Sequence, residues 1–386
     1  MKVLHIVRQF SPSVGGLEAS VQSLASAQRS RFGIDARVVT LDRLFGRSGR
    51  LPAQDIVDGI PVRRLPWRGS TRYPLAPSVL AHLQAADVLH VHAIDFFFDF
   101  LAATRPLHGR PMIASTHGGF FHSGQYNAAK KIWFNSVTWA SIRAYRRIVA
   151  CSYSDADMFR RSAGPRLTVI ENGINQVKFR DASSPVPTRT IISFGRFAQH
   201  KRIGHLFPLL ARLRSADPAW RLIVAGREAD QTAEELRSLA GIAGVSDAVR
   251  FVIDPSDDEL RALIGEASYF GCLSAYEGFG LAAVEAMSAG LLPILSGITP
   301  FRRLVESTGI GLVVDAENPE SAAVTVQSIS SDGIGTYGQR RLRTMQEVRC
   351  YDWEEVASRY VDLYEGAIGL AVDNSAARAT REQVVE

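Results

Sequence analysis

The sequence predicts an α/β fold of two domains, each built on a parallel β-sheet with helices on both faces. Short apolar, β-branched segments alternate with segments of helical spacing along most of the 386 residues. The alternation stops at a Pro- and Ser-rich linker, Asp181–Thr188, and then begins again. Because strands that are apolar throughout belong to sheets buried on both faces, each half is predicted to be a Rossmann-like domain.

The first domain is assigned to residues 1–180. Its predicted strands are the apolar runs at 3–7, 36–41, 61–65, 87–92, 111–116, 147–152 and 167–170. Helical spacing falls between most of them, at 17–30, 78–86, 96–104, 128–146 and 154–162. The N-terminus predicts a strand rather than a signal peptide, and no apolar run reaches the ~18 residues of a spanning helix.

The second domain is assigned to residues 189–350. Its predicted strands lie at 190–195, 220–226, 249–253, 269–274, 291–296 and 311–314, and its helices at 203–216, 232–243 and 256–266. A C-terminal helix is predicted within 351–370, with its regular pattern at 353–368. Residues 371–386 are polar and Ala-rich without periodicity, so a flexible tail is predicted there.

Charge is distributed unevenly between the two halves. Residues 1–180 hold 24 Lys and Arg against 11 Asp and Glu. The whole chain has 44 and 39, so residues 181–386 hold 20 Lys and Arg against 28 Asp and Glu. A basic first half fits anionic lipid or a phosphorylated ligand, or it is a basic surface without a dedicated partner. Nucleic acid is disfavoured because no nucleic-acid-binding signature is present. Three widely separated cysteines indicate a reducing cytosol and exclude a cysteine-rich zinc site.

The most informative motif is EGFGLAAVE, which runs from Glu277 to Glu285. It follows a strand and opens a helix, where free backbone N–H groups at a positive dipole end form a pocket for phosphate oxygens. If the run is mostly helical, its two carboxylates lie roughly 12 Å apart, too far for the ~5 Å pair of a retaining glycosidase. That spacing suits the two ends of a nucleotide sugar. The alternative is a helix start with two solvated acids.

Two further segments follow strands and carry glycines or cations. SVGGLEAS places Gly15 and Gly16 where the backbone can approach a ligand, although a plain turn has the same pattern. It is not GxGxxG, which disfavours a dinucleotide site. FGRFAQHK places Arg196 and Lys201 at the carboxyl end of the second sheet, where they either stabilise a leaving diphosphate or are ordinary surface residues.

The histidines and one acidic pair leave alternatives open. His117 lies just past a strand, where a lone histidine is either catalytic or structural. His90 and His92 share one strand face, but a third ligand is not evident, so no metal site is predicted. The DAD sequence at 155–157 resembles a metal-binding DxD, but Ser152 and its neighbours are good helix caps, which is the favoured interpretation.

Two aromatic clusters have two interpretations each. Lys130–Arg147 mixes aromatic and basic residues, which fits an anionic membrane interface or a core-facing helix with snorkelling bases, the core being favoured. Phe96–Phe98 with Phe100 is either core or an acceptor groove.

In order and spacing, these motifs resemble glycosyltransferase family 4, whose members are retaining enzymes with the GT-B fold. The resemblance covers about residues 1–368 and rests on Gly15–Gly16 with Glu18, His117–Gly118, Gly195–Arg196 with Lys201, and Glu277 through Glu285. Within the family, the chain is most similar to the lipid-linked α-1,3-mannosyltransferases of bacterial exopolysaccharide assembly, of the acetan and xanthan type. It departs from the family pattern at Asp254, at Leu273–Ser274 and at 298–302.

The resemblance implies a fold, substrates and a location. The two Rossmann-like domains face each other across a cleft, and the C-terminal helix crosses back. The donor is GDP-mannose and the acceptor is a cellobiosyl-diphosphate polyprenol. The enzyme works in the cytoplasm, peripherally at the anionic inner membrane surface, with no metal or other cofactor and no nucleic acid partner.

The resemblance also implies site residues. The catalytic residues are His117, Lys201 and Glu277. The donor is bound by Gly15, Gly16, Arg196, Lys201, Glu277, Phe279, Gly280 and Glu285. Arg196 and Lys201 hold the diphosphate, and Glu285 binds the ribose hydroxyls. The acceptor side is formed by Ser152, Phe97 and Phe120.

The implied mechanism is retention by front-face attack, in which a diphosphate oxygen takes the proton of the acceptor hydroxyl and no buried nucleophile is needed. Other functions stay open. A family 4 transferase can use another sugar nucleotide, such as a UDP-sugar. A GT-B sugar-nucleotide epimerase is disfavoured by the spacing of Glu277 and Glu285. A non-catalytic assembly partner is disfavoured by the intact set of charged residues.

Overall fold

Two units, each with its own sheet, divide the chain in the computed structural model. The structure describes residues 1–118, 133–330 and 333–382. The first unit is Met1–Gly173 together with the chain from Trp353 onward, and the second is Ile174–Asp352. The division lies upstream of the predicted linker. That segment belongs to the second unit because the backbone amides of Ser183 and Ser184 donate hydrogen bonds to Ala289 and Ala267, at 2.9 and 3.1 Å.

The main sheet of the first unit has eight strands in the order β10-β9-β8-β7-β1-β2-β4-β3. The strands of this unit are β1 (Lys2–Ile6), β2 (Asp35–Leu41), β3 (Gln54–Val57), β4 (Ile60–Leu65), β5 (Arg68–Ser70), β6 (Tyr73–Leu75), β7 (Val88–His92), β8 (Met112–Ser115), β9 (Arg147–Ala150) and β10 (Leu167–Val169). β3 is antiparallel to β4 at the edge, and β5 and β6 form a separate hairpin. The other pairs are parallel, as predicted.

Helices cover both faces of this sheet, and the buried side chains form one apolar cluster on each face. They are α1 (Gly16–Phe32), α2 (Phe96–Ala103), α3 (Arg105–His108), α4 (Trp139–Ile142) and α5 (Tyr153–Ala163), with 3-10 helices at Pro77–His82 and Gly164–Arg166 and a π-helix at Phe134–Thr138. The helix predicted at 78–86 is therefore a 3-10 helix. Most of the first half of the one predicted at 128–146 lies outside the described residues.

The second unit has a six-stranded, fully parallel sheet in the order β13-β12-β11-β14-β15-β16. The strands are β11 (Thr190–Phe197), β12 (Arg221–Glu228), β13 (Val249–Ile253), β14 (Tyr269–Cys272), β15 (Leu292–Ser296) and β16 (Leu312–Val314). Each predicted strand is present within a few residues of its expected bounds. Both units are Rossmann-like, which confirms the predicted fold class.

Two of the helices described in the second unit begin at capping boxes. The helices described in this unit are α6 (Gln176–Phe179), α7 (Leu206–Ala216), α8 (Ala233–Ile242), α9 (Asp257–Ile264), α10 (Leu281–Ser288), α11 (Thr299–Thr308), α12 (Pro319–Ser330) and α13 (Ile334–Glu347), with 3-10 helices at Gln199–Lys201, Ile203–His205, Ser246–Ala248 and Arg349–Tyr351. Thr232 with Glu235, and Ser256 with Glu259, form capping boxes at α8 and α9.

The last helix, α14 (Trp353–Glu382), returns to the first unit. Its residues Tyr360 and Tyr364 are buried in the apolar cluster that contains Val21 and Leu24 of α1. The predicted crossing back is therefore confirmed. Residues 371–382, where a flexible tail was predicted, continue the helix, in keeping with the high helix propensity of an Ala-rich sequence. Residues 383–386 lie outside the described part of the chain.

Candidate active site

Lys201 and Glu277 form an ion pair in the second unit. β11 ends at Phe197, and the 3-10 turn that follows it carries Lys201. Lys201 Nζ donates to Glu277 Oε1 at 2.6 Å, and Ser274 Oγ donates to the same oxygen at 2.8 Å. The two side chains of the pair are 21% and 11% exposed. A pair with this little contact to water is held more firmly than a surface salt bridge.

The segment from Glu277 to Gly280 is a bend, and α10 begins only at Leu281. The separation of roughly 12 Å, which assumed a mostly helical run from Glu277, therefore does not apply. Gly280 has φ of 93°, and a Cβ there would lie 2.6 Å from Phe301 Cε1. Only glycine fits this position, since both the backbone conformation and the space exclude a side chain.

The backbone of the bend supplies the donors that a ligand would meet. The first N–H groups of a helix have no partner within the helix, and they lie here at the start of α10. The Phe279 side chain is buried, with its ring centroid 5.2 Å from that of Tyr351. Phe279 can therefore contact a ligand through its amide, while its ring packs in the core.

A small pocket borders the ion pair. Its lining includes Gly195, Arg196, Lys201 and Cys272. Gly195 has φ of 135°, and a Cβ on Gly226 of the adjacent strand would collide with the Gly195 carbonyl. Burial, followed by the charge of Glu277, raises the pKa of the Cys272 thiol to about 11. The thiol therefore stays protonated and is a poor nucleophile.

Arg196 is an exposed cation at the end of β11. Within the described part of the chain its guanidinium makes no hydrogen bond or ion pair. It follows that Arg196 keeps all of its N–H donors for an anion, whereas Lys201 has already committed one donor to Glu277. Together the two residues offer positive charge at the carboxyl end of a parallel sheet, where open α/β folds bind ligands.

Glu285 lies in the second turn of α10 and is largely shielded from solvent. Burial raises the pKa of its carboxyl, Lys178 partly offsets this shift, and Asp257 adds to it. Lys178 itself is bound to Asp257 at 2.7 Å. The carboxylate of Glu285 has no hydrogen-bond partner among the described residues. A desolvated carboxylate without a partner is typical of a binding site.

In the first unit, His117 follows β8 in a left-handed conformation with φ of 50°. Its Nε2 lies 2.9 Å from His92 Nδ1, and its Nδ1 lies 3.7 Å from the Cys151 thiol. Burial lowers the pKa of His117 to about 4. The imidazole is therefore neutral and both of its nitrogens are engaged, so neither is free to act as a base.

The structure supplies the third histidine that the sequence did not reveal. His5 of β1 is in register with His90 of β7, and the nitrogens of His5, His90 and His92 lie within 4.8 Å of one another. A third histidine, which was not evident from the sequence, therefore lies beside His90 and His92. Every ring nitrogen of the three already has a protein partner, so a metal would have to displace hydrogen bonds. Strand pairing could have revealed His5, because neighbouring parallel strands align His5 with His90.

Gly15 and Gly16 differ in their surroundings. Gly15 is the N-cap of α1 in extended conformation, and a Cβ there would collide with the Glu18 carboxylate, which accepts from Ser13 Oγ at 3.2 Å. Gly16 faces open space. At Gly15 the group that approaches the backbone is therefore the protein's own Glu18 carboxylate. At Gly16 there is room for a ligand to approach.

The predicted acceptor residues are engaged elsewhere or lie outside the described chain. Ser152 caps α5 by accepting from the Asp155 amide at 3.1 Å, and Asp155 accepts from Thr116 Oγ1 at 2.6 Å. These contacts favour helix caps over a metal-binding DxD. Phe97 is 1% exposed in the core, which favours the core interpretation of that cluster. Phe120 lies outside the described residues.

Comparison with known proteins places both halves in one group. The family described as "Glycosyltransferase Family 4" matches residues 14–177, and "Glycosyl transferases group 1" matches residues 175–346. A GDP-mannose:cellobiosyl-diphosphopolyprenol alpha-mannosyltransferase of Komagataeibacter xylinus is 58% identical over 372 residues, 96% of this chain and 95% of that protein. The protein of the same name from Xanthomonas campestris is 44% identical over 380 residues, 98% of this chain and 100% of that protein.

Solved structures agree on the fold. Anabaena Alr3699/HepE in complex with UDP has a TM-score of 0.71 and 18% identity, covering 95% of this chain and 100% of that one. The sucrose-phosphate synthase of Thermosynechococcus elongatus has a TM-score of 0.70 and 19% identity, covering 96% and 99%. These likenesses support the predicted GT-B fold.

Proposed function

The chain belongs to glycosyltransferase family 4, and from that membership we propose that it transfers mannose from GDP-mannose to a cellobiosyl-diphosphate polyprenol, with retention and in α-1,3 linkage. One observation carries the proposal, namely near full-length similarity to relatives whose names state this donor and this acceptor.

The donor site lies in the second unit. Arg196 and Lys201 bind the diphosphate and stabilise the negative charge that grows on it as the glycosidic bond breaks. Glu285 accepts hydrogen bonds from the ribose hydroxyls, for which its unpartnered carboxylate is suited. Glu277 and the amides at 279 and 280 hold the sugar. Glu277 also keeps Lys201 in place through their 2.6 Å hydrogen bond.

The chemistry we assign is front-face attack. The acceptor hydroxyl approaches the anomeric carbon on the side from which the diphosphate leaves, and its proton passes to a diphosphate oxygen. No protein nucleophile is needed, which fits the protonated Cys272 beside the site. His117 takes part in the site as a neutral imidazole, because burial lowers its pKa to about 4. Both of its nitrogens are bound within the protein.

We place the reaction at the membrane surface that holds the polyprenyl acceptor. Over the described residues, no helix has both the length and the hydropathy to span a bilayer. In the first unit Trp139 is 41% exposed, and Arg143 stacks 3.5 Å from its ring centroid. An exposed aromatic ring beside a cation suits an anionic interface. Trp139→Ala should weaken sedimentation with phosphatidylglycerol vesicles, whereas Ile242→Ala, on an exposed residue of the second unit, should not.

The transfer itself is tested with purified full-length protein, cellobiosyl-diphosphate polyprenol and radiolabelled GDP-mannose. Label should enter the organic phase, methylation analysis should place the mannose at a 3-position, and release of the label by an α-mannosidase should show the α configuration. UDP-glucose, UDP-galactose and GDP-glucose serve as competing donors. Preferential transfer from one of these would overturn the proposed donor.

Two further arms separate the remaining possibilities. Incubation of GDP-mannose without acceptor should leave the sugar unchanged, whereas an epimerase would convert it. We also propose that Arg196 and Lys201 supply the positive charge without a metal. Activity should then survive EDTA followed by gel filtration, and loss of activity with recovery on adding Mg²⁺ or Mn²⁺ would contradict that role.

A further inference from the structure

Nine side chains of the first unit form a ring in which eight of the nine neighbouring pairs are hydrogen-bonded. In order around the ring they are Gln28, Tyr364, His90, Ser115, Tyr360, Cys151, His117, His92 and His5. Eight are buried, and His117 is the member of this ring that reaches solvent. Buried polar groups destabilise a fold unless they are hydrogen-bonded, and a fully satisfied network specifies one arrangement.

One half of the ring runs through histidines at the strands. His5 Nε2 lies 2.8 Å from Gln28 Oε1, and His5 Nδ1 lies 2.9 Å from His92 Nε2. His92 Nδ1 lies 2.9 Å from His117 Nε2, and His117 Nδ1 lies 3.7 Å from the Cys151 thiol. This half leads from the buried Gln28 of α1 to the partly exposed His117.

The other half runs through the last helix. Gln28 Nε2 donates to the Tyr364 hydroxyl at 3.0 Å, which lies 2.7 Å from His90 Nδ1. His90 Nε2 lies 2.8 Å from Ser115 Oγ, and Ser115 Oγ lies 3.1 Å from the Tyr360 hydroxyl. α14 therefore joins α1, β7 and β8 through polar contacts as well as apolar packing.

The two ends of the series, the Tyr360 hydroxyl and the Cys151 thiol, are neighbours that affect each other's pKa. Each hydrogen bond in the series needs one donor and one acceptor, so the direction of one bond fixes the direction of its neighbours. Gln28 sets that direction, because its carbonyl oxygen faces His5 and can only accept. It follows that all four histidines carry their proton on Nε2.

All members of the ring are uncharged at neutral pH. Burial lowers the pKa of His5 and of His117 to about 4 and lowers those of His90 and His92 well below their usual value. Burial also raises the pKa of the Cys151 thiol and of both tyrosine hydroxyls. A second proton on any imidazole would remove an acceptor and open the ring.

The ring constrains the loop that carries His117. His117 and Gly118 both have positive φ, of 50° and 71°, and such a conformation costs energy in a residue with a side chain unless its surroundings hold it. Because both imidazole nitrogens are bound, the side chain cannot rotate without breaking the ring. The backbone at the carboxyl end of β8 is thereby held in one conformation.

We propose that this ring positions His117 for sugar transfer, and that Tyr360 and Tyr364 of the last helix are positioning residues of the enzyme. The inference rests on the proposed function, because it concerns the rate of that transfer. A structural metal at His5, His90 and His92 is the competing explanation of the histidine cluster, and it would need ring nitrogens that the hydrogen bonds occupy.

The first test needs no substrate. Full-length protein labelled with ¹⁵N-histidine is examined by long-range ¹H–¹⁵N correlation at pH 7.5, and single histidine variants assign the signals. We expect His5, His90, His92 and His117 to be neutral and all protonated on Nε2. Mixed tautomers among the four, a protonated imidazole, or a stoichiometric metal in the purified protein would overturn the ring.

The second test links the ring to turnover. Tyr360→Phe and Tyr364→Phe each remove one hydroxyl and keep the ring shape of the side chain. We expect a mixed tautomer at His90 in Tyr364→Phe, because that variant loses the partner of His90 Nδ1. In both variants we expect a fall in kcat of about ten-fold, about 1.4 kcal/mol, with the KM for the donor within two-fold. Unchanged tautomers and unchanged kcat in both variants would overturn the positioning role.

Tyr145→Phe is the matched control. Tyr145 is equally buried in the first unit, but its hydroxyl donates to the Phe98 carbonyl at 2.8 Å, outside the ring. This variant should lose thermal stability to a similar degree, while the histidine tautomers and kcat stay as in the parent.

If the parent transfers a sugar other than mannose, the proposed donor is wrong. The histidine tautomers and the kcat measured with that sugar still decide the role of the ring.

Discussion

Lys201 and Glu277, which are 76 residues apart in the chain, share a hydrogen bond of 2.6 Å. Glu277 receives a second hydrogen bond on the same oxygen from Ser274, so its carboxylate is oriented from two sides. The lysine ammonium has three donors, of which Glu277 takes one. This arrangement fixes the cation in direction and leaves donors for a diphosphate, which is the preorganisation that stabilises developing charge.

Replacing Lys201 by alanine should reduce kcat more than it affects folding. The variant removes a fixed donor to the leaving diphosphate, and the loss of one such donor lowers kcat by about 10²- to 10³-fold. Steady-state transfer of labelled mannose to the lipid acceptor measures the effect.

Arg250→Ala is the control for this change. Arg250 is an exposed cation in the same unit and pairs with Glu266 at 3.0 Å, so its loss should leave kcat within two-fold. A Lys201→Ala enzyme with turnover close to the parent would show that Lys201 does not stabilise the leaving group.

Replacing Glu285 by glutamine should weaken donor binding and stabilise the fold. Loss of a charge-assisted hydrogen bond of about 1.5–3 kcal/mol to the ribose predicts a rise in the Kd for GDP-mannose of about 10- to 100-fold. Isothermal titration of donor measures this rise.

The stability effect of Glu285→Gln follows from the direction of the pKa shift. Because burial raises the pKa of Glu285 in the folded state, the folded protein loses stability as the pH rises and the carboxyl ionises. Glutamine avoids this loss, so Tm should exceed that of the parent at pH 7.5 and the difference should shrink toward pH 4.5. A lower Tm at pH 7.5 would mean that Glu285 has a stabilising partner. Glu266→Gln, on an exposed carboxylate, should show neither effect.

Replacing Gly280 by alanine should damage both the bend and catalysis. The new Cβ would meet Phe301 Cε1 at 2.6 Å in a backbone with φ of 93°, and left-handed conformation alone costs an alanine roughly 1–2 kcal/mol. The bend must shift to relieve the contact, which displaces the amides that we assign to the sugar. We expect a lower Tm and a fall in kcat/KM of about ten-fold or more.

Gly241→Ala makes the same chemical change where there is room. Gly241 lies in α8, and the nearest side-chain atom to a new Cβ is Ser246 Oγ at 3.7 Å. Its Tm should be equal or higher because alanine favours helix, and transfer should be unchanged. Equal activity in Gly280→Ala and the parent would show that the amides of the bend do not hold the sugar.

Sequence patterns predicted the two sheets well because each buried parallel strand is a continuous apolar run. The same patterns missed the antiparallel edge strand β3, whose residues Gln54–Val57 are mostly exposed and carry no such run. They also placed the division between units at a Pro- and Ser-rich segment that in fact hydrogen-bonds into the second unit. Turn composition reports flexibility of the chain, whereas the division depends on tertiary contacts.

Site residues were predictable where one segment contains them. Glu277 and Glu285 share a motif, but the bend that precedes α10 depends on the contact of Gly280 with Phe301. The partners of His117 come from β7 and from the loop after β9, and spacing along the chain cannot reveal such contacts. Tyr360 contacts Ser115 although the two residues are 245 positions apart in the chain. Tyr364 comes from the same distant helix.

Acid should destabilise the protein earlier than its carboxylates alone would predict. In the unfolded chain histidines take up protons near pH 6.5, whereas burial lowers the pKa of His5 and His117 to about 4. The unfolded state therefore binds more protons between these values, and stability falls as the pH drops from 6.5 to 4. Each of the two groups contributes roughly 3 kcal/mol across that window. His90 and His92 act in the same direction.

Denaturant unfolding at intervals from pH 7.5 to pH 4.5 measures this dependence, and its slope gives the protons taken up on unfolding. Asp95 acts in the opposite direction, because burial raises its pKa to about 6 and the folded state then binds the extra proton. Asp95→Asn can still accept from the Phe97 amide at 2.9 Å, and it removes the opposing titration, so its slope should be steeper than that of the parent. The contrary result in Asp95→Asn would be a free energy of unfolding that is the same at pH 6.5 and pH 5. That result would mean that the histidines titrate normally in the folded protein and that the ring does not keep them neutral.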